Sequence, residues 1–536
     1  LPVSVLTLLL MLTCTSNAAR SDTEQLPKHQ PSVKPGVTLD FLGRYSTGRF
    51  NQSAAEIIAH DPMGQRLFVV NGADSAIDIV DISTPATPKK IESLSLDSLP
   101  GDIGTPNSVA ISGNLLAIAA GNRNPQADGY IAIYTLDNLT LARLFKAGAL
   151  PDMVTFSPDG HYVLAANEGE PRGSKDPEGS VTVINISEGI SAASVSTASF
   201  AGFNSQQAAL IKSGVRIIGP DGNTSATVAK DLEPEYITIN RHSTKAWVAL
   251  QENNAMAIID IATATVESIK PLGFKDHSLL GNGVDASDRD DSINIQPWNT
   301  RGMYQPDSIA WFEHDGIGYI ATANEGEARS FEAVRVKDLK LDKGAFPNAK
   351  QLQKNGHLGR LKVSNTMGDA NNDGRFDTLY SFGTRSFSIF NAETLELVFD
   401  SGDDFERIVA TQQPLGFNSS NDKNASFDSR SDAKGPEPEA IAIGVINEQT
   451  YAFIGLERVG GIMVYNISNP AAPDFIEYRL DRDFTVNANS SAAGDLGPEG
   501  ITFIKAANSP SGNALLAVAN EVSGTTAIYQ INVTSQ

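Results

Sequence analysis

Apolar residues along this chain alternate with polar ones or run together in short pieces. Examples are Leu67-Phe68-Val69-Val70, Leu115-Leu116-Ala117-Ile118-Ala119, Tyr162-Val163-Leu164-Ala165-Ala166 and Ala246-Trp247-Val248-Ala249-Leu250, and later Tyr319-Ile320-Ala321-Thr322-Ala323, Tyr451-Ala452-Phe453-Ile454-Gly455 and Ala514-Leu515-Leu516-Ala517-Val518-Ala519. Turn residues such as Ser157-Pro158-Asp159-Gly160 bound them, so they read as strands. Several are followed by a further strand, as in Ala76-Ile77-Asp78-Ile79-Val80 and Gly461-Ile462-Met463-Val464-Tyr465. Each is preceded by an opening in which Pro or Ala stands beside an acidic or amide residue. The openings are Ala55-Glu56-Ile57, Pro106-Asn107-Ser108-Val109, Pro151-Asp152-Met153-Val154, Pro234-Glu235-Tyr236-Ile237, Pro306-Asp307-Ser308-Ile309, Pro438-Glu439-Ala440-Ile441 and Pro498-Glu499-Gly500-Ile501. The strand after the opening tends to end in Asn-Glu or a near equivalent. One small sheet per repeat predicts an all-β fold, a seven-bladed β-propeller with loop and short helical insertions. Radial symmetry would gather the acidic openings around one axis.

The repeats are unevenly spaced, and the widest gap, between Asp307 and Glu439, predicts the largest insertion. Single-domain organisation over 37–536 is expected, with insertions near 270–300 and 330–435. Within them Arg335 to Gln353 has mixed charge and helical spacing, and Asn418 to Lys434 is polar and acidic. Val37 to Tyr45 is expected to close the ring against Thr525 to Val533. Residues 1–18 carry no charge, an apolar run from Val3 to Leu12, and Ser16 and Ala18 at signal-peptidase spacing, which reads as a signal peptide followed by a flexible segment over 19–36. Thr13 and Met11 fit a lipoprotein site around Cys14 poorly. Cys14 is the one cysteine, so the mature chain would have no disulfide, a pattern of bacterial-type export to the periplasm or medium. No other apolar stretch approaches the ~18 residues of a membrane span.

Charge narrows the partners. With 41 Lys plus Arg against 63 Asp plus Glu, the net charge is -22, which repels nucleic acid and anionic membrane surfaces and makes divalent cations the natural counterions. In Asp369-Ala370-Asn371-Asn372-Asp373-Gly374-Arg375-Phe376-Asp377, the oxygens of Asp369, Asn371, Asp373 and Asp377 have the alternate spacing of a calcium loop. Tyr380 stands where an EF-hand would have Glu, so a shorter extracellular-type calcium loop fits better; a bare Asx-rich turn is the alternative. Asp285, Asp288, Asp290 and Asp291 form a second acidic cluster, either a cation site or a solvated loop. Asn167-Glu168-Gly169-Glu170-Pro171-Arg172 and Asn324-Glu325-Gly326-Glu327-Ala328-Arg329 repeat one wording, echoed at Glu252, Glu457-Arg458 and Asn520-Glu521. These would put Glu beside Glu, with Arg close by, on one face; they would hold metal and phosphate or pair with each other. The acids at strand openings, with Glu437, would crowd the axial mouth and recruit a cation or serve as strand-start acceptors. The seven histidines show no paired metal-ligand spacing, and no Gly-rich phosphate loop, Gly-x-Ser-x-Gly elbow or reactive thiol is present.

Several segments together carry a family resemblance. They are Asp285-Ala286-Ser287-Asp288, Met303-Tyr304-Gln305-Pro306-Asp307, Asn324-Glu325-Gly326-Glu327, Leu379-Tyr380-Ser381-Phe382-Gly383-Thr384-Arg385-Ser386-Phe387-Ser388-Ile389, Arg430-Ser431-Asp432, Lys434-Gly435-Pro436-Glu437-Pro438-Glu439 and Leu456-Glu457-Arg458-Val459-Gly460-Gly461. From about Val37 to Val533 the chain resembles the choice-of-anchor I family. The resemblance implies an exported propeller-like domain; that family takes in mesenchyme-specific cell surface glycoproteins and secreted bacterial proteins labelled alkaline phosphatase. Arg385 and Arg430 lie in its most family-like insertions. Their guanidinium forks suit phosphate or carboxylate, or else bridge loops. Two functions stay open. One is metal-assisted phosphomonoester hydrolysis, with calcium or another divalent metal on Glu168, Glu325, Asp307 and Glu439 and substrate oxygens on Arg329, Arg385 and Arg430. The other is a non-catalytic calcium-loaded surface or matrix protein binding ions, mineral or glycans.

Overall fold

The computed structural model describes residues 36–173, 175–219, 222 and 226–534; the expected signal peptide, Cys14 and residues 19–35 lie outside them. Among the described residues, seven four-stranded antiparallel sheets follow one another along the chain. Blade 1 spans 58–95, blade 2 103–149, blade 3 151–199, blade 4 234–271, blade 5 309–400, blade 6 438–479 and blade 7 498–533. The innermost strands touch in sequence order, and Pro498–Ile504 of blade 7 touches Ile58–Asp61 of blade 1, so the ring closes. The fold is therefore a β-propeller. Val37–Ser46 supplies the fourth, outermost strand of blade 7, antiparallel to Thr525–Val533 with Val37 opposite Val533 and Ser46 opposite Thr525. This is the expected closure. Arg44 adds a forked ion pair to Asp495, at 2.7 and 2.6 Å.

Apolar clusters fill the wedges between neighbouring sheets. Phe68, Ile77 and Ile79 of blade 1 pack with Leu116, Ile118 and Tyr134 of blade 2, and Leu164 and Val183 of blade 3 pack with Val248 and Ile259 of blade 4. Burial at roughly 25 cal/mol per Å² of apolar surface makes these wedges the main stabilising term. Polar stitches join the innermost strands as well: Ser108 Oγ accepts from Val154 N at 3.2 Å, Thr238 Oγ1 from Trp311 N at 2.7 Å, and Ser308 Oγ from Ile441 N at 3.1 Å.

The opening motif has a physical cause. Proline is tolerated because the innermost strand is a sheet edge on its axial side and needs no donor there. Directly after it the register slips: Pro151 faces Asn167 but Met153 faces Ala166, and Pro498 faces Asn520 but Gly500 faces Ala519. Asp152 and Glu499 are thus the extra residues of β-bulges. The same irregularity falls at Asn107, and at Glu235 and Glu439. A bulge re-aims the side chain it carries, and here it points acids at the axis.

The insertions hold more structure than loops and short helices. Phe274–Asp276, Arg301–Met303, Tyr380–Ser381, Lys362–Ser364 and Ala333–Arg335 form an additional five-stranded sheet in that order. It has its own core of Val284, Trp298, Val336, Leu341, Phe346 and Leu358. Its strands are too short to show a period, which is why the sequence hides them. The helical spacing over 335–353 yields only a 3-10 turn, Val336–Asp338, and one helical turn, Ala349–Leu352. A longer helix, Asp404–Gln412, lies in the connection from blade 5 to blade 6. Among the described residues no helix is long and apolar enough to cross a membrane.

Candidate functional site

In the Asn-Glu pairs that follow the second strands, the two residues divide their work. The asparagine turns into its own sheet: Asn167 Nδ2 donates to Ser180 Oγ and Thr182 Oγ1 at 3.1 and 3.0 Å, and Asn324 Nδ2 to Ser388 Oγ at 2.7 Å. The glutamate then continues to the axis. In blade 5 the next residue, Gly326, has a φ of +93°, and a Cβ there would lie 2.3 Å from Gly383 N. Only glycine fits such a close approach.

Two tiers of acid result. Asp152, Glu235, Glu439 and Glu499 come from the bulges and Glu56 and Asp307 from the residues just before Ile58–Asp61 and Ile309–His314, while Glu168, Glu252, Glu325, Glu457 and Glu521 come from the second-strand ends. Burial first, and neighbouring acids second, push the carboxyls of Glu168, Glu235, Asp307, Glu439, Glu457 and Glu499 well above the usual range. Burial raises Glu56 to about 7, a rise that Glu521 and Asp152 reinforce, and Asp152 itself to about 6. Glu56, Asp152, Asp307 and Glu499 border an axial cavity of about 560 Å³ that runs between the innermost strands. Asp152 is open to that cavity while the ring of protein encloses both.

Among the described residues two sets of three acids bring ligand oxygens within 4.8 Å of one another. Asp307, Glu325 and Glu439 form the first, and Glu325, Glu437 and Glu457 the second. They differ in counter-charge. In the second, Lys434 Nζ lies 3.0 Å from Glu437 and 2.6 Å from Glu325, Arg458 is 3.1 Å from Glu437 and 2.9 Å from Glu457, and Arg430 also pairs with Glu437. Burial opposes ionisation of Glu437, yet Lys434, Arg430 and Arg458 outweigh it and hold this carboxyl below the usual range. The first set has less: Glu325 receives Lys434 and, on its other oxygen, Gln251 Nε2 at 2.9 Å, while buried Glu439 Oε2 has no hydrogen-bond partner. Of the two, the Asp307, Glu325 and Glu439 set is therefore the one whose oxygens could hold a hard cation. An unpartnered buried carboxylate oxygen costs several kcal/mol unless a proton or an ion meets it.

Beside the second set lies a cavity of about 300 Å³ bordered by Arg329, Lys362, Arg430, Lys434 and Arg458, with Glu327 as its acid. Arg329 is buried and its Nη2 donates to Asp231 O at 2.8 Å and lies 2.8 Å from Glu233, but Nε and Nη1 make no hydrogen bond. A basic cavity and an acidic cluster thus stand next to each other, with Lys434 belonging to both.

The structure sorts the remaining expected residues. Glu168 belongs to the ring but to neither close set, and Arg172, its counterpart to Arg329, pairs at the surface with Glu170 at 3.0 Å. Arg385 is not free to clamp a ligand. Its Nη1 donates to Asp285 O at 2.7 Å and Glu406 Oε1 at 2.6 Å, and Nη2 to Ser431 O and Ala433 O at 2.7 and 3.0 Å. That bridge is structural. Arg385→Ala is expected to cost about 3–5 kcal/mol by leaving Glu406 buried and unpaired; a denaturation midpoint unchanged from wild type would contradict this. Asp285 and Asp288 are not brought together: Asp288 takes a forked pair from Arg360 at 2.6 and 3.0 Å, and Asp285 accepts from Asn294 N and Ser287 N. In the 369–377 loop, Asp369 accepts from Asp373 N and Gly374 N, Asn371 from Asp373 N, and Asp377 from Ala370 N, all at the surface. Calcium there remains an expectation. Lys434 and Gln251 were given no role by sequence reasoning; the i,i+3 spacing of Lys434 and Glu437 was the one available signal.

Fold and site define a class, a β-propeller with an acid-lined axis and a basic side cavity. The choice-of-anchor I domain model matches residues 56–470, and the chain belongs to that family. It is 33% identical over 190 residues to Gigasin-3a of Magallana gigas, covering 34% of this chain and 66% of that protein. It is 25% identical over 311 residues to the mesenchyme-specific cell surface glycoprotein of Strongylocentrotus purpuratus, covering 50% of this chain and 38% of that protein. The chain thus spans less than two thirds of the length of either relative. Among solved structures, the β-propeller domain of Myceliophteria thermophila Cps50 (Swd1) overlaps with a TM-score of 0.43 and 10% identity, over 92% of this chain and 100% of that one.

Proposed function

We propose that this chain is an exported β-propeller that holds a divalent cation, calcium or a similar hard ion, on Asp307, Glu325 and Glu439, and uses it to hydrolyse phosphate monoesters. The observation that carries the reading is the close approach of those three carboxylates from blades 5 and 6, one with an unpartnered buried oxygen, beside a basic cavity. Arg329 and Arg430 would take the phosphoryl oxygens, and the remaining acids of the ring would accept the proton of the attacking water. The cation would lower the pKa of that water and neutralise charge on phosphorus. Water adds to phosphorus, the ester P–O bond breaks, and the alcohol leaves with a proton, giving inorganic phosphate. Export is supported by the name of the sea-urchin relative, a cell surface glycoprotein.

With p-nitrophenyl phosphate as probe, Glu439→Gln is expected to lower kcat/KM by at least about 100-fold, the scale of losing a charge-stabilising group. Chelation should abolish turnover in wild type. Wild type indifferent to chelator, or the variant equal to it, would sink the reading.

One observation favours a second reading. Lys434 already occupies the acidic neighbourhood as an internal cation. A protein that only stores ions, or presents them to mineral or glycan, needs no turnover, and cation binding without any hydrolysis would select that reading.

A further inference from the structure

The connection from blade 5 to blade 6 packs on the loop 283–296, and a second polar knot lies there. Glu406 is its hub. It accepts from Asp285 N at 3.1 Å, from Arg385 Nη1 at 2.6 Å and from Asn418 Nδ2 at 2.6 Å. Asn418 Nδ2 also donates to Ser431 Oγ at 2.8 Å, and Ser431 Oγ donates to Asp428 Oδ1 at 2.5 Å. Backbone bonds from Asp428 N to Phe417 O and from Arg430 N to Asn418 O, both 2.8 Å, hold the two segments side by side.

The side-chain donors of this knot are spent on Glu406, Ser431 Oγ, Asp428 Oδ1 and backbone carbonyls. What remains is oxygen. Asp428 Oδ2, Asn418 Oδ1 and Ser419 Oγ are buried and have no hydrogen-bond partner, and the residues are 3%, 0% and 0% exposed. Flipping the Asn418 amide does not help, because it would set Oδ1 against the Glu406 carboxylate. Arg385 cannot serve as counter-charge, since its Nη1 and Nη2 are spent on Glu406 and three carbonyls. The surroundings are negative too. Burial, then Asp285, Asp290 and Glu406, push the Asp428 carboxyl up to about 8 against the hydrogen bond from Ser431. Three kinds of oxygen ligand (carboxylate, amide and hydroxyl) with surplus negative charge, and with the Ser419 hydroxyl's own proton as the one donor left among them, are what a calcium ion takes up and a transition metal does not favour.

We propose that Asp428 Oδ2, Asn418 Oδ1 and Ser419 Oγ are ligands of a structural calcium ion that fastens the blade 5 to blade 6 connection to the body, with Asp285 and Asp290 as its charge neighbours. This site is independent of the axial one and takes no part in hydrolysis.

The test uses the purified full chain, stripped with chelator and titrated with calcium alone, read by calorimetry and by thermal midpoint. Wild type is expected to bind one more equivalent of calcium than Asp428→Asn, and the variant to lose most of the calcium-dependent rise in midpoint while keeping its metal-saturated p-nitrophenyl phosphate turnover. Ser419→Ala, which removes one neutral ligand, should weaken the same equivalent about tenfold and serves if Asp428→Asn does not fold. Glu439→Gln should leave this equivalent intact. An equal calcium count and equal calcium response in wild type, Asp428→Asn and Ser419→Ala would overturn the proposal, as would a chelator-stripped wild type indifferent to calcium, which would mean that a proton or a water satisfies these oxygens.

Discussion

Replacing Lys434 with methionine is expected to destabilise the protein by about 3–5 kcal/mol, the scale of removing one partner from a buried ion pair. The ammonium is enclosed by Glu325, Glu437 and Glu327 at 2.6, 3.0 and 3.2 Å and also meets the Gly326 carbonyl. Burial alone would depress the Lys434 pKa, but Glu325, Glu437 and Glu327 reverse this and raise it well above its ordinary value. Without it, Glu325 faces Asp307, Glu439 and Glu457 with one fewer cation among them. Lys434→Met combined with Glu325→Gln should therefore lose less than the two single changes added together, with a coupling of about 1–3 kcal/mol. Chemical denaturation of the four proteins measures this. Additive losses would show that Lys434 is not the internal counter-ion of the ring.

The second large effect concerns pH. The metal-free protein is expected to lose stability as pH rises from 5 to 8, and divalent cation to restore it. Glu56 and Asp152, at about 7 and about 6, titrate above their ordinary values in the folded chain. A carboxyl with a raised folded pKa favours folding in its protonated state. Its contribution is complete below the unfolded value, near 4, and disappears as pH passes the folded one. Glu168, Glu235, Asp307, Glu439 and Glu499 are shifted in the same direction and extend the loss to higher pH. Glu437 runs the opposite way, since its pKa is depressed; its contribution is present at neutrality and is lost only below the usual carboxylate range. The thermal midpoint after chelation should fall by at least about 5 °C over pH 5 to 8, and millimolar calcium should recover most of it at pH 8. A flat or rising midpoint would contradict this.

The repeat makes much of this legible in the sequence. Because Glu56, Asp152, Glu235, Asp307, Glu439 and Glu499 hold one place in one repeating unit, circular stacking had to bring them together, and period and turn chemistry revealed the unit. The bulges that aim Asp152, Glu235, Glu439 and Glu499 were not legible, since a one-residue slip leaves no compositional mark. Nor was Lys434, whose partners Glu325 and Glu327 are remote in sequence and reach it only through the fold. Arg385 shows the reverse: of the two readings open to it, clamp or loop bridge, the structure bears out the bridge. Lying in a distinctive insertion it looked available, and only its four acceptors, all distant or in other segments, show that it is spent. Asp285 and Asp288 misled for a related reason: neighbours in sequence, they face different partners, backbone amides for one and Arg360 for the other.

The central claim, that acids from separate blades form one cation site on the axis, is tested most directly by calorimetric calcium titration of the chelator-stripped wild type beside the Asp307→Asn, Glu439→Gln double variant. The account predicts one fewer bound equivalent in the double variant, with the fold retained by circular dichroism. The same number of equivalents bound at the same affinity by both proteins would contradict it.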